Sequence, residues 1–225
     1  LLRLIHFSDF HNQGDAIKNA VKLANKHPDW DVVAMTGDCT TRDQPYADER
    51  LNTLPQSNLF CVPGNHFTAA NGRDGETVNE YRHLTNWKTV WPRRYFVKGS
   101  WFLCLDSNNI ENRNPVIDQL ARSWDNPPLF VIMMHEPPSK PLLLDVLTKI
   151  FDVRRRRKPK VLILHGHNHP DSPLWTENLD IGNNWQVCMS LVCSSPTATT
   201  KGVANLITLD DQGLHQQFMS LDHHE

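Results

Sequence analysis

LLRLIHFSDFH, residues 1–11, begins as a strand and ends as a knot of polar groups. Leu2–Ser8 has the apolar content of a short buried strand, and it stops on Ser8-Asp9-Phe10-His11. The same grammar recurs down the chain. Asp31–Thr36 reads as a second strand and stops on Gly37-Asp38. Asn58–Val62 reads as a third and stops on Gly64-Asn65-His66, inside VPGNHF at residues 62–67. Leu129–Met134 stops on His135-Glu136-Pro137-Pro138, and Val161–Leu164 stops on His165-Gly166-His167-Asn168-His169. In open α/β sheets, sites gather beyond the carboxyl ends of strands. Five loops are therefore expected to converge on one place.

Between these strands lie helical patterns. Asp15–Lys26 carries Ala16, Ile17, Ala20, Val21, Leu23 and Ala24 at helical spacing. Helices are also expected near Tyr46–Leu54, over Pro115–Trp124 and over Leu142–Val153. Arg94–Lys98 and Trp101–Asp106 read as a hairpin turning at Gly99-Ser100. After residue 165 strands dominate: Leu174–Glu177, Gln186–Cys193, Val203–Leu209 and Leu214–Met219, the last two joined across Asp210–Gly213. Alternation followed by a run of strands predicts an α/β fold, a two-sheet sandwich with helices outside. No repeat or linker interrupts it, so residues 1–225 are expected to form a single domain. Residues 68–92 are a polar, partly helical excursion placed on the substrate side, since long loops in compact domains are often functional.

Composition excludes several classes. A formal net charge of −2 gives no sign of a nucleic-acid or membrane partner. No apolar run approaches the roughly 20 residues of a membrane helix. The five cysteines, Cys39, Cys61, Cys104, Cys188 and Cys193, are scattered through apolar runs, which reads as reduced core thiols in a cytoplasmic protein. The chain opens on Leu1 without methionine, which leaves room for a removed leader. It is silent on oligomeric state.

The residue types at the strand ends point to a metal centre. Two aspartates, an asparagine and several histidines are hard and intermediate ligands, with no cysteine among them. Asp9 and His11 are two apart, as are His167 and His169, so an extended segment aims each pair one way. Such a set is too large for one cation with an open position. It suits two cations about 3.5–4 Å apart, bridged by one carboxylate.

In this order, Asp9-Phe10-His11, Gly37-Asp38, Gly64-Asn65-His66, His135 and Gly166-His167-Asn168-His169 resemble the calcineurin-like metallophosphoesterases. Leu105-Asp106-Ser107 and His135-Glu136-Pro137-Pro138 add similarity to the cyclic-nucleotide-phosphodiesterase-like branch. The resemblance implies a sandwich of two sheets flanked by helices. It implies two divalent transition-metal ions: manganese, iron, zinc or nickel. Asp9, His11 and His169 would hold the first, Asn65, His135 and His167 the second, and Asp38 would bridge them. A metal-bridging hydroxide would attack the phosphorus of a phosphomonoester or phosphodiester. Asn65 and His66 would face the substrate, and His66 would protonate the leaving oxygen. The substrate would be a small phosphate ester, a nucleotide among the candidates.

The chain departs from the family at two places that bear on His66. Thr41 stands where many members carry the second aspartate of G-D-x-x-D, with Asp43 as a substitute, and Phe67 stands where they carry Asp or Glu after G-N-H. Arg42 stands where protein-phosphatase relatives carry a phosphate-contacting arginine. Arg154–Lys158 is a run of cations, read as a solvated helix end before phosphate contact. Trp87 and Trp91 offer either a base-stacking surface or core packing. His165 is read as supporting the ligands or filling the core; His6, His27, His83 and His215 are read as surface or packing residues. Two other functions stand beside the phosphohydrolase. One is a metal-dependent DNA nuclease of the same superfamily, supported only by the basic run. The other is a non-catalytic scaffold, opposed by every ligand position being filled.

Overall fold

A computed structural model describes residues 1–40, 47–66, 81, 83–89, 91–107, 129–150, 160–169, 175–179, 187–195 and 202–221. The expected helix over Pro115–Trp124, the run Arg154–Lys158, and Thr41, Arg42, Asp43 and Phe67 lie outside them.

Eleven strands and two helices are described. The strands are β1 (Leu2–Phe7), β2 (Val32–Met35), β3 (Leu59–Cys61), β4 (Arg93–Val97), β5 (Ser100–Cys104) and β6 (Leu129–Met133). They continue with β7 (Lys160–His165), β8 (Trp175–Leu179), β9 (Val187–Leu191), β10 (Val203–Asp210) and β11 (Gly213–Ser220). The helices are α1 (Gly14–Lys26) and α2 (Lys140–Ile150). One sheet has the order β11-β10-β1-β2-β3 and the other β4-β5-β6-β7-β9-β8. Each sheet is mixed. β1, β2 and β3 are parallel, as are β5, β6, β7 and β9, while β10, β11, β4 and β8 join antiparallel at the flanks.

Side-chain alternation builds four layers. On β1, Leu2 and Leu4 enter the core between the sheets, while Ile5 and Phe7 pack toward α1. On β7, Leu162 and Leu164 face the inter-sheet core, and Val161 and Ile163 face α2. β2 and β6 divide in the same way. Strands buried on both faces need apolar residues at every position. Hence the continuous runs Leu129–Met133 and Val161–Leu164. α1 buries Ala16, Ile17, Ala20, Leu23 and Ala24, one stripe of a 3.6-residue period. α2 buries Leu143, Val146 and Leu147.

Two expectations need correction, and one open alternative is decided. The helix expected near Tyr46–Leu54 is, in its described part, a single 3-10 turn at Glu49–Thr53. The β4–β5 hairpin turns at Lys98-Gly99, both at positive φ, one residue earlier than expected. Trp87 and Trp91 are core residues, not a stacking surface. Trp87 is 6% exposed and its indole donates to the Leu51 carbonyl at 3.2 Å. Trp91 donates to the Cys61 carbonyl and packs edge-on against Tyr81. Lys88 N–H bonds the Leu59 carbonyl at 2.8 Å, so this segment runs along the free edge of β3. Its indoles close the end of the first sheet. Cys39, Cys61, Cys104 and Cys193 are buried thiols, as expected of core cysteines.

Candidate metal centre

Loops leaving the carboxyl ends of β1, β2, β3, β6 and β7 meet between the sheets. They bring Asp9, His11, Asp38, Asn65, His66, His135, His167 and His169 together. Three overlapping donor groups result: Asp9, His11 and His169; Asp9, Asp38 and His135; His11, Asp38 and His66. Within each group the ligand atoms lie within 4.8 Å of one another.

The backbone sets this up before any side chain does. Asp9 N–H bonds the Gly37 carbonyl at 3.0 Å, and His11 N–H bonds the Asp38 carbonyl at 3.0 Å. The first two loops are thus zipped side by side. Gly166 N–H reaches the His135 carbonyl at 3.0 Å, joining the loops after β6 and β7. A sixth segment, absent from the sequence expectation, follows β9: Ser194 N–H bonds the Ser8 carbonyl and Ser195 N–H the Asp9 carbonyl. Gly64 and Gly166 are required by close approach. A Cβ on Gly64 would collide with Asp38 Oδ1, and one on Gly166 with Ser8 Oγ and Asp9 Oδ2. Glycine at both places lets the loops close on the two carboxylates.

Two subsites emerge. In the first, His11 Nε2 and His169 Nε2 face each other at 3.2 Å, and His169 Nε2 lies 3.2 Å from Asp9 Oδ1. In the second, Asn65 Oδ1 lies 2.8 Å from His135 Nε2 and 2.9 Å from His167 Nδ1. Asp38 sits between them, with Oδ2 at 3.2 Å from His135 Nε2 and 3.7 Å from His66 Nε2. Its other oxygen accepts the His66 N–H at 3.0 Å. Asp9 and Asp38 are fully buried or nearly so, while His11, His66 and His169 line the open side.

Electrostatics follow from burial and crowding. Burial alone would lower the pKa of His135. The hydrogen bond to Asp38 and the nearby Asp9 and Asp38 carboxylates reverse this and push it up to about 9. Burial raises the pKa of Asp38, but His135 and His66 bring it below the ordinary value. The hydrogen bond to Asp9 raises His169, and burial lowers His11. His165 is fully buried under the last loop and held down to about 4 by that burial.

These residues fit divalent cations. The donors are imidazole nitrogens and amide and carboxylate oxygens, the set that suits first-row transition metals. Two imidazole nitrogens facing each other beside a carboxylate form a pair for which a cation is a better partner than a single shared proton. Asn65, His135 and His167 would hold one cation and Asp9, His11 and His169 the other, with Asp38 between them.

Sequence reasoning did not single out the contact between His6 and Thr36. His6 was expected among surface or packing residues; the packing alternative holds, for it is fully buried, with Nε2 at 2.9 Å from Thr36 Oγ1. Its odd polarity on an apolar strand was the available signal. Thr36 acts through its backbone carbonyl, which no sequence displays.

The profile of the family described as calcineurin-like phosphoesterase matches residues 2–185, so the chain belongs to that family, a metallophosphoesterase by its fold and motifs. Comparison with curated proteins gives no match. Among solved structures, the chain is similar to a dimetal phosphatase from Danio rerio. The TM-score is 0.59 at 11% identity, covering 98% of this chain and 99% of that one. It is also similar to a 5'-nucleotidase from Candida albicans, with TM-score 0.58 at 12% identity, covering 98% of this chain and 51% of that one. A purple acid phosphatase from yellow lupin gives TM-score 0.55 at 12% identity, covering 98% and 51%. The chain therefore spans about half the length of the latter two.

Proposed function

We propose that this chain is a two-metal phosphohydrolase that cleaves a small phosphomonoester or phosphodiester, nucleotides included. The observation that carries the reading is the convergence of six side chains from five strand ends into three overlapping donor groups, two of which share Asp38, with Asn65 and His167 against His135 beside them. Manganese, iron, zinc and nickel are the candidate cations. When bound, two such cations supply Lewis acidity to the phosphoryl oxygens and lower the pKa of water.

The chain's own residues supply the rest. Asp38, braced by His135 and the His66 N–H, keeps a carboxylate between the two subsites. Asn65 presents Oδ1 inward, fixed by His135 and His167. His66 borders the open side beside His11, with ring centroids 5.1 Å apart. There it can carry a proton to the leaving oxygen as water attacks phosphorus from the opposite side. The dimetal phosphatase, the 5'-nucleotidase and the purple acid phosphatase share this fold, which supports the reaction class. The scattered core thiols favour a cytoplasmic enzyme; no helix among the described residues is long and apolar enough to cross a membrane.

The test is a panel of p-nitrophenyl phosphate and bis-p-nitrophenyl phosphate with each of the four metals. Hydrolysis of either ester that requires added metal and vanishes in Asp38→Ala is expected. No turnover with any metal would overturn the proposal. Degradation of labelled DNA without turnover of either small ester would favour the nuclease instead.

A further inference from the structure

Thr36 directly follows β2 and precedes the Gly37-Asp38 loop, and every polar group it owns is engaged. Its N–H donates to the Phe7 carbonyl at 3.0 Å. Its carbonyl accepts from Ser8 Oγ at 3.2 Å and from His135 Nδ1 at 2.8 Å. Its hydroxyl meets His6 Nε2 at 2.9 Å. The Thr36 carbonyl thereby requires that His135 carry a proton on Nδ1. That leaves Nε2 as the atom facing Asn65 Oδ1 and Asp38 Oδ2.

His6 is the unusual member. It is fully buried, and burial keeps its pKa well below the ordinary value, so the ring is neutral. Its Nδ1 is buried and has no hydrogen-bond partner among the described residues. An apolar ring would fill this place between the sheets without an unpaired Nδ1, at the cost of the buried Thr36 hydroxyl's partner. What the imidazole adds is its hold on Thr36. Beyond Thr36 the chain turns sharply through Gly37 at φ +100°, past the end of β2, where glycine gives no stiffness of its own and the Gly37 carbonyl is held by the Asp9 N–H. A side-chain anchor at Thr36 adds to the backbone bonds on either side and to the Ser8 hydroxyl in limiting rotation of the peptide that bears the carbonyl.

We propose that His6 is a positioning residue for the metal centre. Through the Thr36 hydroxyl it fixes the carbonyl that holds His135 Nδ1–H, and so aims His135 Nε2 at the second subsite. The inference rests on reading His135 as a metal ligand.

Calorimetric titration of the metal-free chain with zinc tests it, using His6→Phe, Thr36→Val, Thr36→Ser and the double variant His6→Phe/Thr36→Val. In His6→Phe and Thr36→Val, one of the two zinc affinities is expected to fall about 10- to 100-fold, the size usual for partners of metal ligands, with the other within about twofold. Thr36→Ser keeps the hydroxyl and should stay within about twofold of wild type at both sites. The double variant should be no worse than the weaker single variant, because both substitutions cut one connection. In the zinc-loaded chain, the His135 Nδ1 proton should exchange faster with water in Thr36→Val than in Thr36→Ser, read by proton NMR. Unchanged affinities in both single variants, an equal loss at both sites, or multiplied losses in the double variant would overturn the proposal. If His6→Phe does not fold, the contrast between Thr36→Val and Thr36→Ser decides. A wild type that binds no zinc would overturn the metal centre itself, and this inference with it.

Discussion

Raising the pH from 7 to 8.5 should tighten cation binding at the Asn65, His135 and His167 subsite by about 25-fold. The cause is His135. In the metal-free chain both of its ring nitrogens face oxygen atoms, Nδ1 the Thr36 carbonyl and Nε2 Asn65 and Asp38. Its pKa stands near 9, because the pull of Asp38 and Asp9 outweighs the burial that lowers it. A cation and a proton compete for Nε2. With that pKa, about 1% of the rings are deprotonated at pH 7 and about 24% at pH 8.5, which gives the expected ratio. Calorimetry in two buffers of different ionisation enthalpy reads both the affinity and the proton count. About one proton should leave His135 per cation bound at this subsite at pH 7. The same shift acts oppositely on the metal-free chain. The folded pKa lies above the unfolded value of 6.5, so the stability that His135 adds is complete below pH 6.5 and is lost as pH rises through 9. Metal-free protein should therefore melt at lower temperature at pH 9 than at pH 7 as far as this group decides. Metal-loaded protein should resist that loss, since binding to the folded form stabilises it. An affinity flat between pH 7 and 8.5, with no proton released, would refute the reasoning.

Four further outcomes are expected. Asp38→Ala should lose metal and ester hydrolysis together, measured by equilibrium dialysis and p-nitrophenol release. His66→Ala should keep both cations and slow turnover by about 10²- to 10⁴-fold, most for esters with poor leaving groups; unchanged rates across a leaving-group series would remove its role as acid. Gly166→Ala drives a methyl group into Ser8 Oγ and Asp9 Oδ2, so cation binding by Asp9, His11 and His169 should fail in dialysis while the circular dichroism spectrum stays unchanged. Trp87→Ala, which removes no ligand, should cost about 3–5 kcal/mol in urea unfolding as a buried indole is lost; its zinc affinities should not move.

The strands were legible because burial on both faces forces continuous apolar runs, and Leu129–Met133 or Val161–Leu164 can hardly be anything else. The ligand-bearing loops were legible for the complementary reason. Asp9, Asp38 and His135 are polar groups set directly against those runs, where a solvated loop would not need them all at once. Trp87 and Trp91 were not decidable from sequence, since an indole is equally at home under a loop or against a ligand. Only the acceptors found by their Nε1–H groups, the Leu51 and Cys61 carbonyls, make them core. The Ser194-Ser195 segment was also hidden. It meets Asp9 through backbone groups and Ser8 through the Ser194 N–H and hydroxyl, and neither a backbone group nor a lone serine in an apolar run signals such a contact.

What holds the loops is visible in their strain. Among the described residues, six non-glycine residues have positive φ: Asp9, His11, Asn12, Asp38, Lys98 and His167. Lys98 belongs to a hairpin turn. The other five belong to, or adjoin, the loops of the metal centre. Each such residue costs on the order of 1–3 kcal/mol and persists only where its surroundings over-determine it. Here the bonds that over-determine them can be named. Asp9, His11 and Asn12 donate to the carbonyls of Gly37, Asp38 and Cys39 in turn, and the His167 N–H donates to the Asp9 carboxylate. The two zipped loops therefore stabilise each other's strained residues. The carboxylates are aimed before any cation arrives, so binding need not also supply the energy of ordering them. The remaining adjustment is the exchange of a proton for a cation at His135, and that makes pH the variable to which this centre should respond most.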